Sequence, residues 1–420
     1  MKWLGRLFIE RRYSKRRCSD WKCLVRFGLV AVCCLLALAR PLSVLADDTK
    51  PASENPLFID FSQYWTAASA LREGQNPYDP EIIAQREREV LPGLTEPILQ
   101  WNPPVLFPLT IPFSFLPYEM ASFLWAGSLL ALTAWILQLL LARYGQGRIS
   151  PKQGIIYLFG LLLFFPLWES IRFGQVSPVL LAGFWGFIAC RESRNPTRGK
   201  EFLAGLCLSL TAIKPHLLYL IYLVVALEAL RWRRFREPLG FLSGLLILGG
   251  IPLLWRASLW EDYLGALQAM PVYFQTPTLG SLLHGLDTAS TWLRFLPTVV
   301  TGVIAAFLLA RRQPSVVSEQ ELLLLSALSL LTSPYGWVFD QILLMPLVVF
   351  LLGNSGRQLL PALGCIVISA LAFPWSGRVE MQHFWWYPLG LGVLCTVALK
   401  MRNPGVTATL FHESGKTAGP

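Results

Sequence analysis

The sequence predicts an all-α polytopic membrane protein of about twelve transmembrane helices, with amphipathic helices in the first loop on the outer side. Three observations carry this. Only 15% of the 420 residues are charged and 54% are hydrophobic, whereas soluble proteins carry about 25% charged residues. Apolar runs recur along most of the chain, several of them long enough to cross a bilayer. The lysines and arginines that make the formal charge +10 stand in short blocks between those runs, as residues that set membrane orientation do. That placement gives the positive charge a membrane use and argues against nucleic acid as a partner. The 16 Trp and 25 Phe suit interfacial belts.

Residues 1–26 hold nine Lys or Arg against two acids and read as a basic cytoplasmic N-terminus. The apolar run 27–46 follows. It reads as a retained first span, long for a signal core, although Val44-Leu45-Ala46 before Asp47-Asp48 leaves signal cleavage as the alternative. Arg40 near its outer end would snorkel to the interface. The first loop, 47–118, carries ten acids against four basic residues up to position 103, which sets it opposite the N-terminus. Within it "SQYWTAASALREGQ" reads as a helix with one apolar and aromatic face, ended by Gly74 and Asn76-Pro77. "DPEIIAQREREVL" reads as a second short helix, and both should lie on the bilayer surface. The proline-studded stretch from Val105 to Leu116 is too short to span and suits a re-entrant or interfacial segment.

A full span runs from Glu119 to Leu141. Further spans are expected at 153–168, 176–190, 202–213, 216–230, 238–255, 298–310, 321–332, 338–353, 358–374 and 384–400, several of them short, which makes 119–400 a multi-span domain. With the N-terminus inside, 26 of the 36 Lys and Arg fall on the inner side, as the positive-inside rule requires. Both termini are then cytoplasmic, including the polar tail 401–420. The eight cysteines lie in the basic N-terminus or inside apolar spans, so no disulfide framework is expected. Gly240-x-x-x-Gly244 suggests close helix packing.

Four polar clusters fall on the outer face under this topology: Asp60 with its loop, "WESIRFGQVSP" (168–178), "AIKPHLL" (212–218) and "TSPYGWVFDQ" (332–341). Ionisable groups at span ends beside helix-breaking prolines are costly unless they line a cavity. One shared outward-facing pocket accounts for all four. A carboxylate at the head of an amphipathic helix just outside a bilayer is what a membrane glycosyltransferase requires. No D-x-D, G-x-G-x-x-G, G-x-x-x-x-G-K-[ST] or H-E-x-x-H pattern occurs, so the usual nucleotide and zinc cradles are missing from the sequence.

Taken in order, "DFSQYWTAASALREGQNPY", the proline-rich "WNPP", "FGQ", "AIKP" and "SPYGW" resemble glycosyltransferase family 87, the polyprenyl-phosphate-mannose-dependent mannosyltransferase group with the membrane-embedded GT-C fold. The resemblance runs from about residue 55 to 400. It implies a hexose, mannose in the first place, carried by a polyprenyl-phosphate donor to a glycolipid or lipid-linked glycan acceptor, with inversion and with no metal or other cofactor. It also implies that Asp60 is the catalytic base. Val338-Phe339-Asp340 departs from the pattern, since relatives often carry a histidine after the "SPYGW" position, and that leaves the donor sugar open.

For the departing phosphate the cationic candidates are Lys214, Arg172 and His216; for sugar contacts, Gln175, Tyr64, Trp65, Tyr78, Tyr335 and Asp340, with Trp101 as a further stacking surface. Each has a plainer reading. Asp60-x-x-Gln63 is also a helix-capping pattern, Lys214 could snorkel, Arg172 in its short loop could pair with Glu169, and His216 could be interfacial. Asp340 could be one half of a structural pair, and the aromatic residues could be interfacial anchors. The rival functions are a transporter or flippase of lipid-linked sugars, against which the absence of an evident internal repeat counts, and a non-catalytic scaffold.

Overall fold

The helix Met345–Gly353 is buried at every position, as expected of a segment apolar all round, and packs against Tyr118–Tyr144, Pro151–Leu162, Leu359–Ala372 and Trp386–Arg402. The computed structural model describes residues 58–92, 97–145, 151–192, 197–268, 274–312, 315–353, 359–375 and 381–402, and among these the regular structure is helical throughout. The expected N-terminal segment, first span and polar tail lie outside the described residues, as do Cys18, Cys23, Cys33 and Cys34. The four described cysteines are free.

In chain order the helices that matter for the site are α1 (Ile59–Arg72), α2 (Pro80–Val90), α3 (Tyr118–Tyr144), α4 (Pro151–Leu162), α5 (Phe165–Phe173), α6 (Ser177–Arg191), α7 (Arg198–Ser209), α8 (Tyr219–Trp232) and α9 (Arg236–Gly250). They are followed by α10 (Leu259–Leu267), α11 (Leu279–Leu286), α12 (Leu296–Arg311) and α13 (Glu319–Thr332). Local chemistry explains the boundaries. The α1 helix stops at Gly74, which has φ +76, and Asn76 Oδ1 then accepts from Tyr78 N at 2.9 Å to form a turn. Asp79 caps α2 by accepting from Glu81 N and Ile82 N, with Pro80 in the first turn.

The expected span 153–168 differs. The chain breaks at Leu163–Phe164 and bends by 44° between α4 and α5, because Pro166 opens a new helix there. The segment expected as the loop 169–175 is therefore largely helical, and Arg172 sits on the last turn of α5. A second break separates α7 from α8, where the turns Leu210–Ile213 and Pro215–Leu218 flank Lys214. Residues 104–115 form a short apolar helical segment rather than a span.

Among the described residues four helices are long and apolar enough to cross a membrane, Tyr118–Tyr144, Pro215–Trp232, Arg236–Leu254 and Met381–Met401, and the bent α4–α5 pair, counted as one span, makes a fifth. Five shorter apolar helices of 10–17 residues accompany them among the described residues. Helices α9 and α12 turn Leu242, Leu246, Val303 and Phe307 outward, an apolar surface suited to lipid. Close packing of α7 on α9 rests on small residues. A Cβ on Gly205 would lie 1.9 Å from Glu237 O, and one on Gly240 would lie 2.0 Å from Phe202 O.

The bundle has two chemically different ends. Helix α3 begins beside α1, where Trp125 stacks on Phe61, and ends at Arg143, which is 2.5 Å from Glu319. Helix α6 likewise starts at Ser177 and ends at Arg191, whose buried guanidinium is paired with Glu228 and Glu237. All the polar clusters singled out in the sequence belong to the first end.

Candidate active site

The start of α1 is clipped to the end of α5. Phe58 adopts a left-handed conformation (φ 59) and donates its N–H to Arg172 O at 2.9 Å. Gly174 ends α5 with φ +68, and a Cβ there would meet Phe61 Cβ at 3.1 Å and Phe58 Cβ at 3.2 Å. Its carbonyl accepts from Trp125 Nε1 at 2.7 Å. Glycine is required here for both conformation and space. The consequence is positional, since the next residue, Gln175, is delivered to the first turn of α1.

There Gln175 Nε2 donates to Asp60 Oδ2 at 2.6 Å. Gln175 Oε1 accepts from Tyr64 OH at 2.9 Å and from Lys214 Nζ at 2.9 Å. Two donors on that oxygen settle which end of the amide faces Asp60. Asp60 does not cap α1, because no side-chain cap bond is made at that helix start. Its second oxygen, Oδ1, has no protein hydrogen-bond partner among the described residues. Asp60 is half-buried. Burial pushes its carboxyl up from 3.8 to about 6, against the hydrogen bond from Gln175 and the charge of Lys214, with Asp340 adding to the rise.

Lys214 is paired. Its Nζ lies 2.8 Å from Asp340 Oδ1 and 4.9 Å from the centroid of the Phe339 ring. Asp340 is fully buried and also accepts from Ser177 Oγ at 2.6 Å and from Trp337 N at 3.0 Å. A buried carboxylate with three donors is a structural half of this pair. With two of its three N–H donors committed, the lysine keeps one.

The remaining candidates divide. Arg172 reaches Glu169 at only 3.4 Å, and its guanidinium lies 5.3 Å from the Phe173 ring. Phe173 packs on Phe339, so Arg172 and Lys214 flank one aromatic patch. His216 meets Tyr335 edge to face at 6.3 Å, and Tyr335 in turn carries Arg294 at 4.4 Å over its ring. Trp65 donates to Leu116 O at 3.1 Å and packs on Tyr118. Tyr78 is buried against Phe107 and Tyr263, with its hydroxyl on Asn102 O at 2.9 Å. These last two contacts hold the first loop together, so Trp65 and Tyr78 serve as framework rather than as open stacking faces.

Two contributors escaped the sequence reading. Ser177 orients Asp340, as described. Glu87 on α2 is buried and accepts from Ser62 Oγ at 3.2 Å and from Ile98 N at 2.7 Å, which ties the back of α1 to the segment 97–103. Burial pushes Glu87 up to about 7. Its signal was spacing, because Glu87 stands four residues after Ile83 and shares its buried face.

The geometry is that of a carboxylate, a neutral amide bonded to it, and a cation bonded to the same amide. In comparison with known families the chain matches a model of glycosyltransferase family 87 over residues 101–334. That segment takes in Arg172, Gln175, Lys214 and His216 and begins after the helix that carries Asp60. No curated protein and no solved structure matches the chain. Over half of the 420 residues are matched, and the membrane-capable helices accord with the result, so the chain belongs to glycosyltransferase family 87 and is a membrane glycosyltransferase.

Proposed function

We propose that the protein has the GT-C architecture with about twelve spans, and that it transfers a hexose, expected to be mannose, from a polyprenyl-phosphate donor to a glycolipid or glycan acceptor. The observation that carries this is the Asp60 carboxylate, held by Gln175 Nε2 on one oxygen and open on the other. An acceptor hydroxyl hydrogen-bonded to Oδ1 gives up its proton there while its oxygen attacks the anomeric carbon. The bond from that carbon to the phosphate oxygen breaks on the opposite face, which inverts the centre. The phosphate leaves as a stable anion and needs positive partners more than an acid. Arg172 and the third N–H of Lys214 are assigned to it, with His216 beside them. Neither step calls on a metal.

The same reading places the site on the extracytoplasmic side of the plasma membrane, with both termini cytoplasmic. Support comes from the bundle's far end, where Arg143, Arg191, Arg231 and Arg234 cluster, as the positive-inside rule expects of a cytoplasmic face.

The test is transfer of radiolabelled mannose from polyprenyl-phosphate-mannose into a membrane-lipid extract by purified protein in nanodiscs, with chelator present. Wild type should transfer and Asp60→Asn should be reduced at least a thousandfold. Equal transfer by both would remove Asp60 from the mechanism. Loss of wild-type activity with chelator alone would refute the metal-independent route.

A further inference from the structure

The side chain of Asn102 lies near the hydroxyl of Tyr64, the residue bonded to Gln175 at the Asp60 site. Asn102 donates from its backbone N at 3.1 Å and from Nδ2 at 3.0 Å, both to Gln100 Oε1. The backbone donor fixes the orientation of the Gln100 amide, because the flipped form would set NH2 against N–H. Gln100 is 2% exposed, and its Nε2 has no hydrogen-bond partner.

A buried amide nitrogen without an acceptor is rare and unfavourable. Shaping the turn before Pro103-Pro104 needs only the oxygen of Gln100, so that role leaves the nitrogen unexplained. The segment is also held firmly. Glu87 takes the Ile98 N–H at 2.7 Å, and the Tyr78 hydroxyl donates to Asn102 O at 2.9 Å. Between the two amides, Trp101 is half-exposed.

We propose that Gln100 and Asn102 form a subsite for the hydroxyl groups of a hexose, next to Tyr64 at the edge of the Asp60 site. The subsite is neutral, so it suits hydroxyl and ring oxygens and not a phosphate. Sugar oxygens accept from Gln100 Nε2, and the half-exposed Asn102 amide and Trp101 ring complete the contact. This rests on the glycosyl-transfer reading above. The hexose belongs either to the donor or to the acceptor, and kinetics separate the two.

Initial rates are measured for the full chain in nanodiscs, with lipid-phosphate donor and acceptor lipid varied separately, for wild type, Gln100→Met and Gln100→Glu. The second variant keeps the oxygen that the turn uses and loses the N–H donors, so it stands in if Gln100→Met does not fold. The expected result is a KM raised about tenfold, equivalent to about 1.4 kcal/mol, for one substrate only, with the pH profile unchanged. A raised acceptor KM assigns the subsite to the acceptor sugar; a raised donor KM assigns it to the donor hexose. Both KM values unchanged in a folded variant would overturn the proposal. If wild type transfers nothing, the transfer reading has failed separately. Saturation-transfer NMR with methyl hexosides then decides the subsite, which stands if binding is lost in the variant and falls if binding is equal.

Discussion

The amide of Gln175 is held at its oxygen by Tyr64 and Lys214 and therefore presents its nitrogen to Asp60. That one side chain both orients the carboxylate and tempers its proton affinity, since a hydrogen bond to the carboxylate favours the charged form. Transfer should rise with pH through about 6 as Asp60 ionises. Gln175→Leu should shift this acid limb to higher pH and lower kcat, and a pH profile of kcat/KM that did not move would remove Gln175 from this role. The same carboxyl has a stability consequence. Its affinity for a proton is higher folded than unfolded, so its contribution is fully present below about pH 3.8 and is lost as pH rises through about 6. The loss is on the order of 2–3 kcal/mol at neutral pH. Asp60→Asn keeps an oxygen for Gln175 and removes the desolvated charge. It should therefore melt no lower than wild type at pH 7.5 while its transfer falls by the thousandfold or more expected above. A lower melting temperature would mean that the ionised carboxylate is a structural element after all.

At the scale of elements, the site depends on the docking of α1 against the end of α5. Gly174 is the contact that permits it, with a left-handed backbone and neighbours at 3.1–3.3 Å from any added Cβ. Gly174→Ala should destabilise by about 1–3 kcal/mol through strain and crowding. It should lower kcat more than Gly74→Ala, whose Cβ would meet nothing within 4 Å; equal effects in thermal unfolding and transfer would contradict the docking argument. The "FGQ" motif was legible as a polar cluster at a span end. That its glycine serves the helix of Asp60 was not, because the two segments are more than a hundred residues apart. The break inside α4–α5 was hidden for a different reason. Leu162 to Leu167 is apolar without interruption, and Pro166 fits either a kinked span or a new helix.

For the whole molecule, the end opposite the site is held by ion pairs. Arg191, with 1% of its side chain exposed, binds Glu228 and Glu237, and Glu228 also accepts from Val317 N at 2.9 Å. Truncating one partner leaves buried charges without compensation. Arg191→Met should lower unfolding stability by about 3 kcal/mol with both KM values unchanged, as read by thermal unfolding in detergent and by transfer kinetics. A change in KM would mean that the two ends of the bundle are coupled. Expected spans such as 202–213 and 338–353 appear as shorter helices continued by turns, with Lys214 and Asp340 at the breaks. Helix interruptions of this kind are tolerated where polar side chains meet.

The sequence by itself determined the membrane class, the uneven distribution of positive charge, the helical α1 and α2, and the family, because each is written in local composition, period or motif. Helix α1, expected to lie on the bilayer by one apolar face, is instead buried on nearly every side by its neighbours. It also assembled the candidate residues as one set. Only the tertiary structure decided who meets whom. Lys214 finds Asp340 across 126 positions and Gln175 finds Asp60 across 115; no local period encodes such pairings. The fold therefore turned Lys214 from a cation awaiting a phosphate into a paired one with a single N–H to spare. It assigned Trp65 and Tyr78 to framework contacts. It also buried Glu87 against the back of α1 and set Gln100 against Asn102, ordinary polar residues in the chain.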